Sequence, residues 1–564
     1  MPRRKRGGDL ASSAAKRRKK KESRRNETEE EHEARLQNQR TRMSNLRSTR
    51  SEERTANKST EESRILKDNL TKEAFHYEPT KKYYNHKYVV IGKMNNVCQF
   101  CHAKKFSKET PGLCCMNGKI RLPPIEAPPQ EFLHYMLGET LESKHFLQNI
   151  RSYNSCFQMT SFGATSTNTN RNEFEYVFSI QGQIYHKIGS LLPMSNEDHK
   201  FLQVYFIGNE EQEIDQRCTN FNGLRREIIQ DVQRILHKYN QLIYIFKTTL
   251  DRMISDDYKI VIRADKRPRG EHERRFNAPQ VDEVAIVVVD NENTSRDIIV
   301  HRRRKGLQRI AETHRSYDAL QYPLIFLHGE DGYHFNIKQI HPETGIETNK
   351  KVTSKEFYAY RLMIRDNETY NHILNTRRLF QQFLVDMYAK IEAERMLYIR
   401  LNQKKLRTEE YIHLRDAIMN DGNIDDIGTM VILPSSYIGS PRHMHEYTQD
   451  AMTYVRKYGR PDLFITFTCN SSWPEIKEQL KYGQTSIDRH DIIARVFRQK
   501  QIRFIEVITK YHIFGTVISW MYTIEWQKRG LPHSHNLIWL HDKIYPTDID
   551  KIIRAEFPDP QKDP

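Results

Sequence analysis

Between Gly515 and Leu540 two β-favouring runs flank a cluster of turn residues, an order that an antiparallel hairpin satisfies and few other local structures accept. Thr516, Val517, Ile518, Trp520, Tyr522 and Ile524 dominate the first run. Lys528-Arg529-Gly530-Leu531-Pro532 makes the turn, and a second strand is predicted over 533–540. Strand side chains alternate, so His533 and His535 share one face and Ser534 turns to the other. A turn centred near Gly530 would set Glu525 opposite His535. Two imidazoles and a carboxylate on one face make a three-ligand set for a divalent cation, with positions left for water or a phosphate oxygen. The bland alternative is a pair of ordinary surface or core histidines; the basic turn residues Lys528 and Arg529 favour a phosphodiester partner.

At 564 residues the chain is long enough for several domains with full cores. Its net charge of +17 suits a polyanion, but the distribution is uneven. Residues 1–25 hold twelve Lys or Arg against Asp9 and Glu22 and so supply +10 of that total, leaving the body near charge balance. Pro2-Arg-Arg-Lys-Arg6 and Lys16-Arg-Arg-Lys-Lys-Lys21 read as two halves of a nuclear import signal that could also bind DNA phosphates, with a solubilising tail as the alternative. No apolar run is long enough for a membrane span and no signal peptide is visible. Seven cysteines, four of them bunched, argue against a disulfide framework and for a reducing compartment, the nucleus or cytosol.

The bunched cysteines are Cys98 and Cys101 in a C-x-x-C knuckle, then Cys114 and Cys115. Four thiolates suit a structural Zn²⁺; buried free thiols are the alternative. Adjacent side chains tend to diverge, so one of the second pair is a possible bystander, with His102 as another fourth ligand.

Four regions are expected: a disordered basic tail and polar helix over 1–75, the Cys-cluster module over 76–130, a mixed α/β region over 131–355, and an antiparallel-sheet domain flanked by helices over 356–564. The fold class is therefore α+β. One helix is predicted from Leu224 to Met253, strands over 259–263, 283–290 and 297–301, and a charged loop over 266–275. The longest helix carries an apolar stripe of Leu379, Phe380, Phe383, Leu384, Met387, Tyr388 and Ile391. Arg377, Arg378, Lys390, Arg395 and Arg400 lie outside that stripe and should be solvated or meet phosphates. Leu463–Thr468 alternates as a strand, and 491–513 reads as an amphipathic helix. Arg460 and Asn470, which bracket that strand, join Lys528 and Arg529 as candidate DNA contacts.

Gly530-Leu-Pro-His-Ser-His535 resembles the His-hydrophobic-His motif of the rolling-circle replication initiators carried by Helitron transposons. Ser534 departs from that pattern where an apolar residue is usual, which should weaken packing behind the site. Gly459-Arg-Pro-Asp-Leu-Phe-Ile-Thr-Phe-Thr-Cys-Asn-Ser-Ser-Trp-Pro-Glu-Ile476 resembles the first motif block of the same nuclease. Gln321–Gly332, Phe357–Leu362 and Val431–His443 fit as well. The resemblance implies a Mg²⁺- or Mn²⁺-dependent nickase of single-stranded DNA, with a tyrosine on a helix downstream of the histidines attacking the phosphate to give a 5′-phosphotyrosine link. Only Tyr545 follows His535; it precedes Pro546 and reads as a loop residue, so no nucleophile is identifiable. The one loop resembling a nucleotide-binding signature, Gly112–Ile120, has wrong spacing and Ile in place of the hydroxyl, so no ATPase is expected. The reading is the amino-terminal part of a rolling-circle transposase, incomplete in itself; the alternative is a non-catalytic DNA-binding remnant.

Overall fold

The computed structural model describes residues 70–76, 81–167, 180–250, 253, 259–262, 284–287, 298–303, 307–365, 371–403, 433–527 and 530–549. The basic tail, the 266–275 loop, Lys528 and Arg529 lie outside these residues. The chain divides into two units, residues 1–89 with 555–564, and residues 90–554. In the first unit Glu73 accepts from Lys81 Nζ at 2.9 Å and from Tyr83 Oη at 3.3 Å. The second unit mixes helices with small antiparallel sheets, an α+β architecture.

That unit opens with a two-stranded ribbon, β1 (Asn96–Val97) and β2 (Lys104–Lys105), which carries the first cysteine pair. Helices α1 (Gln130–Leu137), α2 (Leu141–Gln148) and α3 (Ile150–Phe157) follow. Next come β3 (Ser161–Thr167), β4 (Ile180–Ile188), α4 (Glu210–Asn220), α5 (Arg226–Tyr239) and α6 (Gln241–Leu250). The single helix predicted over 224–253 is thus two. Asn240 breaks it, because its Oδ1 accepts from the Leu242 and Ile243 amides and caps a new helix. Strands β5 (Lys259–Ile262), β6 (Val284–Val287) and β7 (Ile298–His301) form a three-stranded sheet with β5 central.

Helices α7 (Tyr317–Gln321), α8 (Ser354–Arg361) and α9 (Arg378–Leu401) complete the largest core, whose buried apolar residues run from Cys98 to Met387. Leu379, Phe380, Phe383 and Met387 are buried there as the stripe required, whereas Tyr388 is 62% exposed. Lys390 departs from expectation in the other direction. It is buried, with Nζ 3.2 Å from Asp318 Oδ1 and 2.8 Å from Tyr358 Oη, because a buried lysine needs a charge partner and acceptors. Asp386 beside it accepts from Tyr322 Oη at 2.8 Å and lies 2.7 Å from His186 Nε2. The Gln321–Gly332 and Phe357–Leu362 blocks serve this core. Tyr322, Leu324, Ile325, Tyr358 and Tyr360 are buried, and a Cβ on Gly332 would sit 2.4 Å from Asp318 Oδ2.

The carboxyl-terminal part begins with α10 (Pro441–Tyr458), capped by Ser440 Oγ accepting from the His443 amide. Gly459 ends it with φ +77°, a conformation that favours glycine, and strand β8 (Leu463–Thr468) follows. Helix α11 (His490–Thr509) then packs on one face of a sheet completed by β9 (Val517–Trp526) and β10 (Pro532–Leu540). β10 is central and antiparallel to both neighbours. Asp462 pins its far end, accepting from the Leu540 amide at 2.8 Å and Lys543 Nζ at 3.0 Å.

Candidate metal centres

Side-chain alternation along β10 divides the sheet. Ser534, Asn536, Ile538 and Leu540 are buried towards α11, while His533 and His535 occupy the opposite face. Glu525 pairs in register with His533, not with His535 as the turn-centre argument required. The turn closes one residue tighter, with the Gln527 amide bonded to Leu531 O and the Gly530 amide to Gln527 O, which centres it near 529. Glu525 nevertheless reaches both rings, with Oε2 3.6 Å from His533 Nε2 and 3.7 Å from His535 Nε2. The two Nε2 atoms are 2.9 Å apart. Two nitrogens at about 2.1 Å from one ion and at right angles to each other would be about 3.0 Å apart, so the imidazoles fit adjacent positions of an octahedral cation. Side-chain exposure rises from 12% at His533 through 31% at His535 to 62% at Glu525, so the group opens to solvent on one side.

The registers of β8 and β9 on β10 arrange this face in rows. Thr468, His533 and Glu525 form one, Thr466, His535 and Thr523 the next, and Phe464, Leu537 and Met521 a third. Thr466 Oγ1 lies 3.3 Å from His535 Nδ1, a partner that fixes the ring with Nε2 directed at the cluster. His533 Nδ1 is buried without a hydrogen-bond partner among the described residues.

Behind the histidines, Ser534 does not weaken the packing. Its Oγ donates to Gln501 Oε1 at 2.7 Å, Gln501 Nε2 donates to Asn536 Oδ1 at 2.9 Å, and Asn536 Nδ2 reaches Ile465 O at 3.0 Å. All three side chains are buried and mutually satisfied, so a polar network fixes the histidine strand to α11 where apolar packing was expected.

The second group is the four cysteines. All four sulfurs are buried and lie within 4.8 Å of one another. Cys98 Sγ is 3.7 Å from Cys115 Sγ, which in turn is 3.9 Å from Cys114 Sγ. A tetrahedron with bonds of about 2.3 Å has edges of about 3.8 Å, the size for Zn²⁺. Cys114 and Cys115 both join the group, while His102 is exposed and stays outside it. Positive φ at His102, Met116, Asn117 and Gly118 curls the chain after each cysteine pair, and the Gly118 amide donates to Cys115 Sγ at 3.2 Å. Hydrogen bonds from Cys114 and Cys115 hold the Cys101 thiol far below its usual range, while the contact with Cys101, together with burial, pushes Cys114 up to about 12.

Of the other candidates, Asn470 is exposed, and its Oδ1 accepts from the Ser472 amide at 2.8 Å, so it shapes the turn after β8. Arg460 is exposed, with Nη2 3.2 Å from Ile544 O. Cys469 is buried as expected of a small apolar residue. Tyr545 is 62% exposed ahead of a short 3₁₀ turn. Among the described residues no helix is long and apolar enough to cross a membrane.

The fold and the site define an α+β protein with a convergent His₂–carboxylate group on an open sheet face and a buried Cys₄ group. Residues 357–538, about a third of the chain, match the family model described as the Helitron helicase-like domain at N-terminus. Among curated proteins none matches the chain.

Proposed function

We propose that this chain binds single-stranded DNA in rolling-circle transposition and holds Mg²⁺ or Mn²⁺ at Glu525, His533 and His535 against a phosphodiester, in an HUH-type nuclease site. The observation that carries the reading is the convergence of both Nε2 atoms and the Glu525 carboxylate on the exposed sheet face, inside the segment that matches the Helitron domain. A cation held there would polarise the phosphoryl group for nicking and strand transfer. The four cysteines would hold Zn²⁺ as a structural ion, and the basic tail would direct the chain to the nucleus and add sequence-independent DNA affinity.

A second reading is a DNA-binding protein that does not nick; Tyr545, the one tyrosine after His535 among the described residues, is exposed beside a proline at a short 3₁₀ turn and is not placed on a helix. Mn²⁺ titration of the purified chain, gel shifts across a salt series and a nicking assay separate the two. The double variant His533→Ala/His535→Ala should lose Mn²⁺ binding; affinity that survives it rejects the metal site. Salt-sensitive binding without nicking at any Mn²⁺ concentration selects the second reading.

A further inference from the structure

We infer that Phe464 is a stacking platform for an unpaired nucleobase of the DNA strand whose phosphate the Glu525–His533–His535 group holds; the inference rests on the single-stranded DNA reading above. Along β8, Leu463, Ile465 and Phe467 turn towards α11, and Phe467 stacks on Phe504 at 4.8 Å. The core on that side is therefore complete without Phe464. Phe464 lies on the histidine face, 64% exposed, with its ring 5.5 Å from that of His535 and within 9° of parallel. The phenyl ring lies beside the imidazole in an offset, near-parallel arrangement, and most of its surface is presented to solvent.

The position along the strands makes this more than an isolated exposed aromatic. Rows on one face of a sheet are spaced by about 7 Å, so Phe464 sits one row from His535 and two from the His533–Glu525 row. A phosphate at the triad and a base on Phe464 would belong to the same short stretch of strand. Half-buried Leu537 and Met521 extend the phenyl into an apolar row, and exposed Arg460 precedes it in the chain. An apolar aromatic step beside a phosphate-binding row suits a nucleotide: the π-face of any base can stack there, and only an unpaired strand can splay its bases onto a sheet. Stacking of this kind tolerates any sequence, so the site would position the strand without selecting a target.

The test uses the full chain with Mn²⁺ and oligodeoxynucleotides of mixed sequence, comparing wild type with Phe464→Ala and Phe464→Tyr. An exposed position makes both variants compatible with folding, which thermal melts check. Phe464→Ala should weaken single-stranded binding roughly tenfold, and Phe464→Tyr should restore it. A 2-aminopurine base should be quenched by wild type and not by the alanine variant. Scanning an abasic site along the oligonucleotide should find one position that costs wild type about the same factor and costs Phe464→Ala nothing, the non-additivity of two partners in one contact. Unchanged affinity in Phe464→Ala, or an equal abasic penalty in both proteins, overturns the proposal. A fall in Mn²⁺ affinity matching the fall in DNA affinity also overturns it, by making Phe464 a support for His535. Tighter binding of RNA than of DNA of the same sequence rejects DNA as the occupant. Mn²⁺ binding that survives the double histidine variant removes the metal reading instead, and is a separate result from loss of the stacking signal.

Discussion

At the scale of single residues the site depends on how each imidazole is held. His535 has an orienting partner in Thr466, while His533 depends on burial and on its strand. Replacing Thr466 by valine keeps shape and β-propensity but removes the oxygen, so Mn²⁺ affinity should fall about tenfold, the usual cost of losing a group that orients a metal ligand. Thr466→Ser should retain most of the affinity, and calorimetric titration distinguishes the two. The shared face of His533 and His535 was legible in the sequence, because period-two alternation follows from strand geometry alone. The register was not: a turn centred one residue away moves Glu525 from His535 to His533, and turn centres depend on backbone bonds such as Gln527 to Leu531 that composition does not specify. Ser534 was misjudged for a similar reason. Its partner Gln501 lies 33 positions away on a helix, and pairing across that distance leaves no local signal.

At the scale of elements, α11 joins the sheet that carries the histidines to the region of the cysteine group. One side carries Gln501 and Phe504 against the histidine sheet, and another carries Ile492, Ile493, Val496 and Phe497 into a small core with Ile91, Met94 and Phe106 beside the cysteine ribbon. Arg495 fastens that contact: Nε and Nη2 reach the two oxygens of Glu109 at 2.7 Å each, and Nη2 also reaches Lys104 O at 2.9 Å. The pair is largely buried, so Arg495→Ala leaves Glu109 without its cation and should cost about 3 kcal/mol. Arg495→Lys should not restore it, since a point charge cannot match the two-pronged geometry. Chemical denaturation measures the loss, and hydrogen exchange should show it concentrated in α11 and the cysteine ribbon. The helix itself was readable within a few residues from its apolar spacing. The contact with residues 91–109 was not, because amphipathic periodicity says which side is buried and not what buries it. The break at Asn240 was missed because the apolar stripe continues across it, although an asparagine ahead of an apolar run is itself a capping signal.

At the scale of the whole molecule, the large core joins residues from Cys98 to Met387, so the cysteine module, the mixed region and α9 share one apolar interior. Charged groups inside it report on that interior as a unit. Glu330 is buried there, with Oε2 accepting the His328 amide at 3.2 Å and Oε1 without a hydrogen-bond partner among the described residues. Burial, aided by the nearby charge of Glu126 and opposed by backbone hydrogen bonds, pushes its carboxyl from an ordinary 4.5 up to about 8. The folded chain therefore keeps a proton that the unfolded chain releases. The stability this proton contributes is fully present below pH 4.5 and is lost as pH rises through about 8. Glu330→Gln holds the same shape with no proton to lose, so its stability should change less than that of wild type between pH 5 and pH 8.5. Urea midpoints at the two pH values measure the difference, and equal slopes for the two proteins would show that Glu330 titrates normally. The effect should appear in the melting of α9 and the cysteine ribbon together, since a core continuous through both cannot take up a buried charge in one part alone.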